Sequence, residues 1–271
     1  MRLCSLLVVL AAVQVGCAST GLTLPSGATD PFPDYQAVFE RAVDPCRRMR
    51  TMELAMAIRA RTGETRLRGD LLAALARPAR LRLVGVAPFG SPGFVLVVDA
   101  DAAVLVLPRD RRVVTDATAD ELLGALAGVT LGAEDFRSVL TGCVVPDPQA
   151  INGRLHDNGW IAVAINGEAT AYVHLVKGVP VVVAGERPGL TVWYSDHVRG
   201  IPRRIDVRAT SATGVLTELT ATLSQVSINI DLNPDVFVPQ IREDYVPMSL
   251  EQFRGTPGPL ESPIGASTEP Q

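Results

Sequence analysis

The sequence predicts a mainly β (α+β) fold, a single strongly curved antiparallel half-barrel of about 11–12 strands with a helical lid on its concave face. Three observations carry this expectation. From Thr51 onward, apolar and polar residues alternate with a strand period through much of the chain. Turn dipeptides such as Asn166-Gly167, Lys177-Gly178 and Pro188-Gly189 separate several of the runs. Clear helical spacing is confined to three segments, 34–48, 118–127 and 133–141. A sheet of that many strands curls rather than staying flat.

The chain opens with Arg2 and an apolar run, Leu3–Val15, of signal-peptide length and too short to span a bilayer as a helix. Val13-Gln14-Val15-Gly16-Cys17 looks like a bacterial lipobox, with Gln14 standing where that motif has an aliphatic residue. On this reading 1–16 is a lipoprotein signal peptide and Cys17 is the acylated, palmitate-bearing N-terminus. Ala18 replaces the Asp of an inner-membrane retention signal, which places the protein on the periplasmic face of the outer membrane. An ordinary cleaved signal peptide is the alternative. Residues 17–33, rich in Gly, Ser, Thr and Pro, read as a flexible tether. The folded domain is expected over 34–253, and 254–271 reads as a disordered Pro-, Gly- and Ser-rich tail.

Within the domain, Asp34 is a reasonable N-cap for a helix that puts Tyr35, Val38, Phe39 and Ala42 on one face, with Pro45 perturbing its end. The strands then begin. Met52, Leu54, Met56 and Ile58 face one way, Glu53, Arg59 and Arg61 the other, and Gly63 turns the chain. Leu67 and Leu71 oppose Arg66, Arg68 and Asp70; after Pro78, Leu81 and Leu83 oppose Arg80 and Arg82. The runs 93–98 and 102–107 are apolar on both faces and must be covered on both sides.

The obvious cover comes next. A helix capped by Thr118 and Glu121 presents Leu122, Leu123 and Leu126 and ends at Gly128. A second, 133–141, turns Phe136, Val139 and Leu140 inward. The remainder returns to strands at 153–156, 160–165, 169–176, 179–185, 190–198, 202–210, 214–223 and 225–232.

The 271 residues carry a formal charge of −4, which is not the electrostatic footprint of a nucleic-acid binder. Of the four cysteines, Cys4 leaves with the signal peptide and Cys17 is the acylation site. Cys46 and Cys143 remain, and in an oxidising periplasm they form a disulfide or stay as two buried thiols.

No phosphate loop, nucleophile elbow, dinucleotide fingerprint or metal-ligand spacing occurs, so neither a cofactor, a metal nor an enzymatic role is expected. Ser195-Asp196-His197 names the members of a hydrolase triad, but neighbouring strand residues face opposite sides of a sheet and cannot converge. His156-Asp157-Asn158-Gly159 reads as a hairpin turn. The segment Ala87-Pro88-Phe89-Gly90-Ser91-Pro92-Gly93 joins two strands, with Phe89 at its tip; this ring either folds back into the core or forms an apolar wedge.

The order of these parts resembles the LolB family of outer-membrane lipoprotein receptors in the LolA/LolB superfamily. The resemblance covers 50–143 at the level of motifs and 150–250 at the level of strand pattern. It implies that Pro88, Phe89 and Gly90 form a membrane-insertion loop, Phe89 standing where that family has Leu. It implies further that helices at 118–141, carrying Leu122, Leu123, Leu126, Phe136 and Leu140, gate an apolar cavity. Met52, Leu54, Met56, Ile58, Leu67, Leu81 and Leu83 are the candidate lining; an ordinary packed core is the other reading of the same residues. The partners implied are acylated lipoproteins or other lipids, a LolA-like periplasmic carrier, and the outer membrane through the anchor. A scaffold or assembly factor of the same fold, and a periplasmic lipid- or glycolipid-binding protein, remain alternatives. Sheltering one acyl chain of some fifteen methylenes is worth roughly 12 kcal/mol at about 0.8 kcal/mol per methylene.

Overall fold

The computed structural model describes residues 22–87, 92–100 and 102–261. Cys17, the loop residues Pro88, Phe89 and Gly90, and residues 262–271 lie outside them. Thr29–Pro31 (β1) precedes the helix Tyr35–Arg48 (α1). A first meander follows: Thr51–Thr62 (β2), Thr65–Ala76 (β3), Arg80–Val86 (β4), Phe94–Asp99 (β5), Ala102–Leu107 (β6) and Arg112–Val114 (β7). Two helices, Ala119–Ala127 (α2) and Ala133–Thr141 (α3), separate it from a second meander. That comprises Ala150–His156 (β8), Ile161–Ile165 (β9), Ala169–Val176 (β10), Val179–Arg187 (β11), Leu190–Ser195 (β12), Arg204–Thr210 (β13) and Leu216–Ile228 (β14). Val246–Pro247 (β15) and Leu250–Arg254 (α4) close the described chain.

All fifteen strands join one open curved sheet in the order β1-β8-β9-β10-β11-β12-β13-β14-β2-β3-β4-β5-β6-β7-β15. The seam between the meanders is the antiparallel pair β14–β2, so the last long strand returns to the first. Among the described strands only β15 pairs in parallel, with β7. Twelve strands have five residues or more, and β1, β7 and β15 have three or fewer. The expected count of about 11–12 is therefore exceeded by pieces too short to display a period. A separate strand at 225–232 is also corrected. β14 runs on to Ile228 through an irregularity between Ser224 and Ser227, where Gln225 takes φ 51°.

The inward face of the sheet and the helices share one core. Met52, Leu54, Met56 and Ile58 of β2 join Leu67 and Leu71 of β3, Leu81 and Leu83 of β4, and Ile205 and Val207 of β13. Into this trough α1 presses Phe39 and Val43, and α2 and α3 press Leu122, Leu126 and Leu140. The cover over β5 and β6 is shared, not supplied by the helices alone. On the outer face Val95, Val97, Val106 and Val113 pack under Tyr245 of the C-terminal segment, and Phe237 lies against Ala74 and Ala76.

Both ends of the chain are used more than their composition suggests. Residues 29–31, placed by sequence in the tether, pair with β8. Leu260, placed in the tail, is buried in the main core.

Candidate functional site

The strand period and the helix caps together place a small apolar cavity between the sheet and its roof. Its floor is Met56, Ile58, Leu71, Leu83 and Phe94 from β2 to β5, its far wall Ile205, Val207, Leu219 and Ala221 from β13 and β14. The roof is Leu123 and Leu126 of α2 with Phe136 and Leu140 of α3. Every lining side chain is hydrocarbon or thioether, so no polar group competes for water inside. The cavity holds about 70 Å³. An apolar cavity of about 150 Å³ accommodates a benzene ring. An acyl chain therefore cannot enter with the helices where they stand.

Of the sequence-derived lining residues, Met56, Ile58 and Leu83 face the cavity, while Met52, Leu54, Leu67 and Leu81 are packed elsewhere in the same core. Of the roof residues, Leu123, Leu126, Phe136 and Leu140 face it, and Leu122 is fully buried beside it. The far wall went unassigned. Its signal was present, since Ile205, Val207 and Ala209 alternate with Arg204, Asp206 and Arg208.

The two roof helices are held differently. A disulfide joins Cys143, just after α3, to Cys46 in the last turn of α1, with the Cα atoms 6.0 Å apart. Asp135 of α3 also meets Arg187 of β11 at 2.6 Å. Arg137, 2% exposed, pairs with Glu134 at 3.4 Å, and its burial disfavours the charged guanidinium. By contrast, α2 is fixed by its apolar face and its ends. Glu121 accepts from the Thr118 amide and hydroxyl at 2.9 Å, which lowers the Glu121 carboxyl pKa. Gly128 caps the helix at φ 72°, and its carbonyl accepts from the buried Thr217 hydroxyl at 3.0 Å, which lies 3.1 Å from the Thr62 hydroxyl. Thr217→Val is expected to remove about 1 kcal/mol of this hold. The check is amide exchange, which should quicken in α2 and leave α3 unchanged.

Outside the cavity, polar chemistry is sparse. Ser195 ends β12, Asp196 takes φ 56°, and the His197 Nε2–H donates to the Val182 carbonyl at 3.0 Å, so the three do not converge. His156 and Gly159 close the β8–β9 turn. Among the described residues no group of three His, Cys, Asp or Glu side chains could hold a metal ion. No described helix is long and apolar enough to cross a membrane.

Burial pushes the His197 imidazole below its ordinary pKa, with the Val182 bond and Asp196 acting in the opposite direction. The unfolded chain thus takes up this proton first. Stability should be complete above about pH 6.5 and decline below it. Urea midpoints at two pH values test this, because His197→Gln should flatten the slope; an unchanged slope assigns the titration elsewhere.

No protein-family model and no curated protein matches the sequence. Among solved structures, the fold is similar to a LolA superfamily protein from Nitrosomonas europaea, at TM-score 0.49 and 14% identity over 75% of this chain and 97% of that one. A putative outer membrane lipoprotein-sorting protein domain from Vibrio parahaemolyticus aligns at TM-score 0.47 and 10% identity, over 75% of this chain and 95% of the other. The lipoprotein LppX of Mycobacterium tuberculosis aligns at 0.31 and 15%, over 74% and 98%. At these scores the function has to be read from this chain's own residues.

Proposed function

We propose that this chain is a lipid-anchored envelope protein that shelters acyl chains between its curved sheet and helix α2. In the fuller form of this reading it acts in the manner of LolB. It takes acylated lipoprotein cargo from a periplasmic carrier and passes it to the outer membrane. The supporting observation is the wholly apolar cavity under a helix that lacks the cross-links holding its neighbour. Pushing α2 outward about Gly128 exposes Leu123 and Leu126 and opens the trough. An acyl chain then replaces the leucine contacts, exchanging one hydrocarbon surface for another at little net cost. Passage from carrier to receptor to bilayer runs downhill and needs no nucleotide. Cys17 as anchor and Phe89 as membrane probe belong to this proposal on sequence grounds alone.

The test uses residues 18–271 as a soluble protein. A carrier loaded with a labelled triacylated lipoprotein is mixed with it, liposomes are added, and the label is followed. Label reaching the liposomes only in its presence is the expected result; label remaining on the carrier refutes the delivery role. The closed interior favours a second reading, a scaffold whose core is simply filled. That reading requires native mass spectrometry of the purified protein to show stable protein partners and no bound lipid.

A further inference from the structure

The described chain ends on a short strap seated against the edge of β3. After Phe253, which anchors α4 in the core, residues 254–257 are exposed and Pro257 and Pro259 offer no backbone N–H. Leu260 alone beyond Phe253 is buried among the described residues, 4% exposed. Its side chain lies over Gly69. The inward face of β3 reads Leu67, Gly69, Leu71, Ala73, Leu75, so the glycine leaves a notch between two leucines. A Cβ at position 69 would stand 2.5 Å from a Leu260 methyl, so a side chain there would force the leucine to shift, and a large one would compete with it for the notch.

The backbone is complementary as well. β3 outruns β4, since their pairing begins only at Asp70 opposite Val86, so among the described residues β4 leaves 65–69 without a partner on that edge. The strap takes that edge. The Arg68 amide donates to the Leu260 carbonyl at 2.8 Å, and Leu67 and Glu261 form an antiparallel bridge. Leu260 also lines the apolar cavity, beside Ile58 and Phe94, and on its outer side borders an open cleft of about 520 Å³ at the roots of the segment 87–93.

We propose that the Gly69 notch is the entry port of the acyl-binding cavity and that Leu260 is the chain's own occupant of it. The ligand class is an unbranched acyl chain, which presents the same hydrocarbon to the notch that the leucine does. Loading then requires the strap to leave, hinged after the Phe253 anchor, so that a chain can enter at the notch while the outward movement of α2 makes room for it. This inference rests on the acyl-binding reading above, and the experiment separates the two.

Three soluble proteins spanning residues 18–271 are compared: the native sequence, Leu260→Asp, and Gly69→Leu. Strap release is read from hydrogen exchange of the Arg68 amide, which needs no lipid. Binding is read with the fluorescent fatty acid cis-parinaric acid. Both variants should quicken Arg68 exchange at least tenfold. Leu260→Asp should bind the probe at least tenfold more tightly than the native chain, whereas Gly69→Leu, whose new side chain fills the port, should show no gain. Equal probe binding by all three, with Arg68 exchange quickened, overturns the port and leaves acyl binding standing. Released straps with no probe bound by any protein overturn both, and leave Leu260 as a structural clasp. Unchanged Arg68 exchange in Leu260→Asp overturns the strap as a displaceable element.

Discussion

Replacing both Cys46 and Cys143 by alanine is expected to lower the stability of the folded domain by about 4–5 kcal/mol, the chain-entropy value for a loop of this size. The cysteines are 97 residues apart, so the bridge closes a loop that spans the whole first meander and both roof helices. Both are 2% exposed, and alanine is chosen because a serine hydroxyl would be buried there without a partner. Urea unfolding gives the comparison, provided the m-value is unchanged. A second signature identifies the route. The bridge ties α3 to α1, so its loss should speed amide exchange through α3 while α2, which it does not touch, stays as it was. A loss below about 1 kcal/mol with altered α3 exchange would mean that the unfolded chain is already compact enough to gain little from the cross-link.

Much of the architecture is legible in the residues because period and punctuation agree. The run 80–86 is a strand and 133–141 a helix at the expected residues, and Thr118, Glu121 and Gly128 bound α2 as their capping chemistry implies. What escapes has physical causes. Strands of two or three residues, such as β15, display no alternation, and β14 breaks its own period at Gln225. Leu260 sits in a Pro-rich stretch whose composition argues for disorder, and its burial is decided by a glycine on β3 that no local pattern links to it. The cavity is half legible for the same reason. The strands facing it from the first meander are adjacent in sequence, whereas β13 and β14 reach it only because the two meanders are joined through β14–β2.

Phe94→Ala should move stability and binding in opposite directions, and this links the core to the proposed function most directly. Phe94 is 1% exposed and stands directly opposite Gly85 in the β4–β5 register, its ring filling the space a side chain on Gly85 would take. Removing a buried ring of this kind costs about 3–5 kcal/mol, in lost transfer energy and in the hole left behind. That hole opens on the existing 70 Å³. Where the neighbours stay in place, the enlarged cavity approaches the size at which an apolar cavity takes up benzene, about 150 Å³. The variant should therefore unfold at lower urea yet bind benzene or cis-parinaric acid more tightly than the native chain. Placing the ring on the opposite strand, as Gly85→Phe with Phe94→Ala, should recover part of the stability and reverse the gain in binding, since the same volume is filled from across the pair. Lower stability without any gain in binding would mean that the roof helices collapse into the space. The trough would then be a core that repacks around a void, and the acyl-binding reading would lose the cavity on which it stands.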